Sequence, residues 1–93
     1  MQQYLIKSLP IISALLLIGC SSNMQPSKTE QNYLSNAAYG LRTNQPNVTL
    51  EATAQAIKNN ENSYQAYYLQ AQAYQQLDES SNAATSYEHS LKI

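Results

Sequence analysis

The sequence predicts an all-α protein: antiparallel helical hairpins in a short solenoid of about two repeats, set behind an N-terminal leader. Three observations carry this expectation. Apolar residues recur at helical spacing from Glu30 onward, the chain matches itself at a shift of 34 residues, and Met1 to Cys20 has the make-up of a processed segment.

The leader comes first. Lys7 gives its start a positive charge, and Leu9 to Ile18 is almost wholly apolar. That run is too short for a spanning helix, which needs about 20 residues. It contains Pro10 and ends in Leu17-Ile18-Gly19-Cys20, followed at once by polar Ser21, Ser22 and Asn23. These residues resemble the lipobox of bacterial lipoproteins. The resemblance implies cleavage after Gly19, a lipid on the Cys20 thiol, and anchoring by acyl chains. A plain secretory signal and a structural helix are the alternatives. Residues 1–19 are then a signal peptide, 20–29 the lipidated cysteine and a flexible polar tether, and 30–93 a helical repeat domain. Ser21 is not the Asp that commonly retains such proteins in the inner membrane. The resemblance therefore implies the outer membrane, periplasmic face.

Cleavage before Cys20 leaves 74 residues, enough for one small domain with little stability in reserve. Cys20 is the only cysteine, so no intramolecular disulfide forms, and the lipid consumes the lone thiol. In the mature part Lys28, Arg42, Lys58 and Lys92 stand against Glu30, Glu51, Glu61, Asp78, Glu79 and Glu88, four cations against six anions. No basic stripe follows from this balance, so no nucleic-acid partner is expected, nor electrostatic attachment to anionic lipid. Phe and Trp are absent, and eight Tyr supply the aromatic surface.

At the 34-residue shift Tyr33 falls on Tyr67, Ala37 on Ala71, Leu50 on Ala84, Ala56 on Ser90, Ile57 on Leu91 and Lys58 on Lys92. Each unit divides into two helical stretches: Gln31 to Arg42 and Val48 to Asn59, then Ser63 to Leu77 and Ser81 to Lys92. Pro46 closes the first break, with Asn47 expected as the following N-cap. Asn62 is expected to cap the third stretch, with Gln65 as its capping-box partner. Asp78, Glu79 and Ser80 form the last break. Tyr67, Ala71 and Tyr74 share one helix face, as do Ala84, Tyr87 and Leu91. Ala71 and Ala83 are small enough for close helix approach.

These positions resemble the tetratricopeptide repeat, a 34-residue unit of two antiparallel helices. The second unit carries the resemblance best, through Tyr67, Ala71, Tyr74, Ala83 and Tyr87. It departs at Gln70, where Leu is usual, at Asp78, where Gly is usual, and at Ser90, where Ala is usual. The first unit fits at Tyr33, Ala37, Ala56 and Ile57. It departs at Asn36, Gly40, Thr49 and Thr53, and Glu61 replaces the usual inter-repeat Pro.

Catalysis has little to work with. His89 is the only histidine, and Gly19 and Gly40 are the only glycines, so no nucleophilic pair, metal cluster or phosphate loop can be composed. No enzyme activity, no metal and no cofactor beyond the covalent lipid on Cys20 are expected. The resemblance implies instead a protein-binding groove lined by first helices: Gln31, Leu34, Ala38, Leu41 and Arg42, then Gln65, Tyr68, Gln72, Gln75 and Gln76. Glutamine amides both donate and accept, which suits the backbone of a bound segment. Tyr87, Leu91 and Ile93 would form an apolar edge beyond the second unit, to be covered by a partner or by a second copy of the chain. The expected role is a lipid-anchored, periplasm-facing protein–protein adaptor or scaffold in the bacterial envelope. One alternative is a lipoprotein of type IV pilus assembly acting on a secretin. Another is a small membrane-perturbing, lysis or immunity lipoprotein.

Overall fold

A computed structural model describes residues 26–93, so Gly19, Cys20 and the whole signal peptide lie outside the described residues. Four helices make up this part: α1 (Lys28–Arg42), α2 (Pro46–Asn59), α3 (Tyr64–Gln76) and α4 (Ser80–Lys92), with no strand among the described residues. The protein is all-α in this region.

Cross-helix bonds fix the topology. Thr49 Oγ1 donates to the Ala37 carbonyl at 2.7 Å, and Ser27 Oγ donates to Asn59 Oδ1 at 3.3 Å, so α1 and α2 run antiparallel. Ser90 Oγ donates to the Tyr64 carbonyl and Tyr87 Oη to Gln75 Oε1, so α3 and α4 do the same. Glu30 reaches Ser63, and Gln76 Nε2 reaches the Leu41 carbonyl, which lays α3 alongside α1 in the same direction. α3 packs on both helices of the first hairpin, whereas among the described helices α4 packs on α3 alone.

The turns repeat bond for bond. Thr43 N–H donates to Tyr39 O, Asn44 N–H to Leu41 O, and Gln45 N–H to Gly40 O. Thirty-four residues later Leu77, Asp78 and Glu79 make the same three bonds to Ala73, Gln75 and Tyr74. Asn44 and Asp78 occupy the left-handed region, at φ 56° and 60°. Together these are paired Schellman endings, in which a left-handed residue turns the chain back to satisfy the last carbonyls. Asn and Asp tolerate that conformation better than other non-glycine residues. Asp78 therefore does at its turn what glycine does elsewhere.

All four helix starts differ from the sequence reading, and α4 begins at Ser80, inside the stretch read as the last break. α1 begins at Lys28, inside the stretch read as tether, because Ser27 Oγ accepts from the Glu30 N–H at 3.1 Å. α2 begins at Pro46, not after an Asn47 cap, since proline at the first position needs no partner for a missing N–H. Ser63, not Asn62, caps α3 by accepting from Ala66 N–H; Asn62 N–H donates instead to Asn60 Oδ1.

The core is built from small side chains. Ala37, Ala52, Ala56, Ala66, Ala71, Ala73 and Ala83 are buried, and the largest fully buried side chains are Glu30, Thr49, Thr53 and Ser63. Gly40 is part of this seam. A Cβ there would collide with Thr49 Oγ1 and stand 2.9 Å from Thr49 N and 3.0 Å from the Gln45 carbonyl. Most leucine and tyrosine side chains, and Ile57, flank the seams half-buried or exposed rather than filling a centre. Every buried side-chain polar atom among the described residues has a partner.

Candidate interaction groove

The first helix of each hairpin presents residues to a shared face. Leu34 on α1 stands beside Tyr64, Gln65, Tyr68 and Leu69 on α3, and Ser90 of α4 closes one end. These six side chains line an open groove of about 500 Å³ with almost wholly apolar walls. Tyr64 and Tyr68 are 43% and 50% exposed, so a bound side chain would bury substantial aromatic surface. The hydroxyl of Ser90 is already committed to the Tyr64 carbonyl, which ties the end of α4 to the start of α3 and shapes that wall.

The predicted groove residues divide into four groups. Leu34, Gln65 and Tyr68 line the groove. Ala38, Leu41 and Gln72 are half-buried further along the same helices, and Gln31 and Arg42 are exposed near the ends of α1. Gln75 and Gln76 are exposed but engaged: Gln75 accepts from Tyr87, and Gln76 donates to the last turn of α1. These bonds engage the Gln75 amide oxygen and the Gln76 amide nitrogen, and each side chain keeps its other polar group outside them. Tyr64, Leu69 and Ser90 were not foreseen. Leu69 had a signal, being one turn after Gln65 on the same face; Ser90 had none, since its position depends on the bond to Tyr64.

The predicted apolar edge is uneven. Leu91 is 86% and Ile93 52% exposed, while Tyr87 is half-buried. Tyr87 packs edge-on against Tyr68 with ring centroids 5.7 Å apart. Burial, and then the neighbouring Tyr68, push its hydroxyl above the usual tyrosine value. It stays protonated and donating through the neutral range. Ile57 is half-buried where its repeat mate Leu91 is bare, because α3 covers α2 and no described helix covers α4.

A second hollow, of about 270 Å³, lies between α1 and α2 and includes Tyr33, Tyr39, Val48 and Glu51. His89 stacks on Tyr67 at 5.0 Å, and Asp78 and Glu79 face solvent. Among the described residues no three His, Cys, Asp or Glu side chains gather to hold a metal ion, and no helix is long and apolar enough to cross a membrane. No family model, characterised protein or solved structure matches the chain.

Proposed function

We propose that the protein is a lipid-anchored, periplasm-facing adaptor of the bacterial outer membrane that holds another envelope protein through a tetratricopeptide-like pair of hairpins. The observation that carries the reading is the apolar groove along α1 and α3, walled by Leu34, Tyr64, Gln65, Tyr68 and Leu69. An exposed, contiguous apolar surface rimmed by polar side chains is the ordinary signature of a protein-binding site. The repeat-like fold is supported by the turn bonds that recur at 34 residues and by the packing of α3 against both preceding helices. The anchor is supported by the Leu17-Ile18-Gly19-Cys20 sequence.

The reading is tested in intact cells by chemical cross-linking of the full-length protein and mass spectrometry of its adducts. Leu34→Glu places a carboxylate against apolar walls, where it lacks partners. That variant is expected to lose the wild-type adducts while retaining its helical content. Cys20→Ala is expected to block palmitate incorporation and to leave the protein uncleaved or released from the membrane. An unchanged adduct set in Leu34→Glu would remove the groove from the account. An unchanged fractionation in Cys20→Ala would remove the anchor.

A further inference from the structure

The two antiparallel hairpins gather four helix termini at one end of the bundle. Ser27 bonds Asn59, Glu30 accepts from Asn60 and Ser63, and Ser90 bonds the Tyr64 carbonyl. The start of α1, the end of α2, the start of α3 and the end of α4 therefore share that end.

Three of the four cations of residues 26–93 lie there: Lys28 opens α1, Lys58 closes α2 and Lys92 closes α4, all exposed. Exposed apolar side chains accompany them, namely Tyr64 at 43%, Leu91 at 86% and Ile93 at 52%. The anions near this end are Glu30, Glu61 and Glu88. Glu30 is buried, 2% exposed, with both carboxylate oxygens accepting hydrogen bonds; Glu61 and Glu88 are exposed. Arg42, Asp78 and Glu79 mark the opposite end, with Glu51 in the first half of α2. Three cations and three anions thus share this end, with the lysine ammonium groups exposed and one of the carboxylates buried, whereas the opposite end sets Arg42 against Asp78 and Glu79.

The chain enters at the lysine-bearing end. Cys20 precedes Pro26 by six residues, which span about 20 Å at most when fully extended. α1, with 15 residues, is itself about 22 Å long. A lipid on Cys20 therefore keeps the lysine-bearing end near the bilayer, whatever the orientation of the rest.

We infer that this end of the bundle is a membrane-contact surface: Lys28, Lys58 and Lys92 meet the phosphates of the bilayer that holds the anchor, and Tyr64, Leu91 and Ile93 enter its interface. Long lysine stems lie along apolar surface with the charge at headgroup level, and tyrosine and branched aliphatic side chains suit the same depth. The inference deepens the anchored-adaptor reading and rests on its lipid. It also orients the groove. The helices stand up from the membrane on their common end, and the groove opens sideways close to the lipid surface.

The test places a photo-crosslinking amino acid in the full-length protein at Leu91 or, as the far-end comparison, at Ser81 in the first turn of α4. Both sites are exposed, so neither probe disturbs packing. Membranes are irradiated and adducts identified by mass spectrometry, with palmitate incorporation measured on the same cells. Lipid adducts are expected at position 91 and not at 81. Combining Lys28→Gln, Lys58→Gln and Lys92→Gln is expected to lower the yield at 91 severalfold without changing palmitate incorporation. Equal lipid labelling at both positions, or adducts at 91 to protein alone, would overturn the contact while leaving the anchor standing. Absence of palmitate from the wild type would overturn the anchor itself, and the contact with it.

Discussion

Gly40→Ala is expected to destabilise the fold by about 2 kcal/mol, against the gain of about 1 kcal/mol that helix propensity alone would give. The new methyl group has nowhere to go. It would meet Thr49 Oγ1 and lie 2.9 Å from the Thr49 amide nitrogen, which is backbone and cannot rotate aside. Thr49 is fully buried and its hydroxyl is held by the Ala37 carbonyl at 2.7 Å. Either α1 and α2 move apart, an overpacking cost of about 1–3 kcal/mol, or the hydroxyl swings away and loses its acceptor, which costs about as much. Thr49→Ala in the same chain should recover part of the loss, because the hydroxyl clash disappears while the backbone clash stays. Urea unfolding of residues 21–93, followed by circular dichroism, measures both. A stabilised Gly40→Ala would mean that the two helices do not approach as closely as described.

The second large effect is expected at Glu30. Its carboxylate is buried without a cationic partner among the described residues, yet it accepts from Asn60 Nδ2 at 3.0 Å and from Ser63 Oγ. Ser63 in turn accepts from Ala66 N–H and so caps α3. One side chain thus ties the start of α1, the turn after α2 and the first turn of α3, and its charge faces a helix N-terminus, where negative charge is favoured. Glu30→Ala removes two charge-assisted bonds and leaves the Ser63 hydroxyl facing a void. Recovery of the carboxylate's hydration offsets only part of that, for a net loss of about 2 kcal/mol. Glu30→Gln keeps an acceptor for Asn60 and should cost less. Hydrogen exchange locates the damage: the Ala66 amide should exchange faster in Glu30→Ala than the α1 and α2 amides do. Uniform acceleration of all four helices would show instead that the residue stabilises the fold globally, without a local role as a tie between hairpins.

Glu30 also shows where sequence reasoning stopped. The four helices were legible because Tyr67, Ala71 and Tyr74, and Ala84, Tyr87 and Leu91, recur at helical spacing, and because Pro46 opens one helix and Asp78-Glu79 separates two others. Helix starts were less legible. Ser27 and Ser63 act as caps through geometry that neighbouring Asn and Ser residues could equally have supplied. The departures from the repeat pattern looked like decay. In three dimensions several of them resolve into partnerships. Gly40 makes room for Thr49, whose hydroxyl binds Ala37; Gln70 Oε1 accepts from Ser86 Oγ at 2.8 Å; Ser90 binds the Tyr64 carbonyl. Each partner lies many residues away in sequence, so single-position comparison sees only the loss and not the compensation. The groove was half legible for the same reason: helix position gave Leu34, Gln65 and Tyr68, but not Ser90, which arrives from another helix. Asn36 and its departure have no account in the structure.

A core of alanine, threonine and serine has a thermal consequence. The heat capacity released on unfolding comes from apolar surface newly wetted, while wetted polar surface subtracts from it. Globular domains average about 12–15 cal/mol/K per residue. With its largest fully buried side chains polar and its buried hydrophobic residues all alanine, this chain should fall below that range. Its stability curve is then broad and shallow. It loses little on cooling, and it holds a modest margin over a wide span of temperature rather than a high one near a single optimum. Scanning calorimetry that returned a value at or above the average would mean that the half-buried tyrosines and leucines, and not the small-residue seams, dominate what folding hides from water.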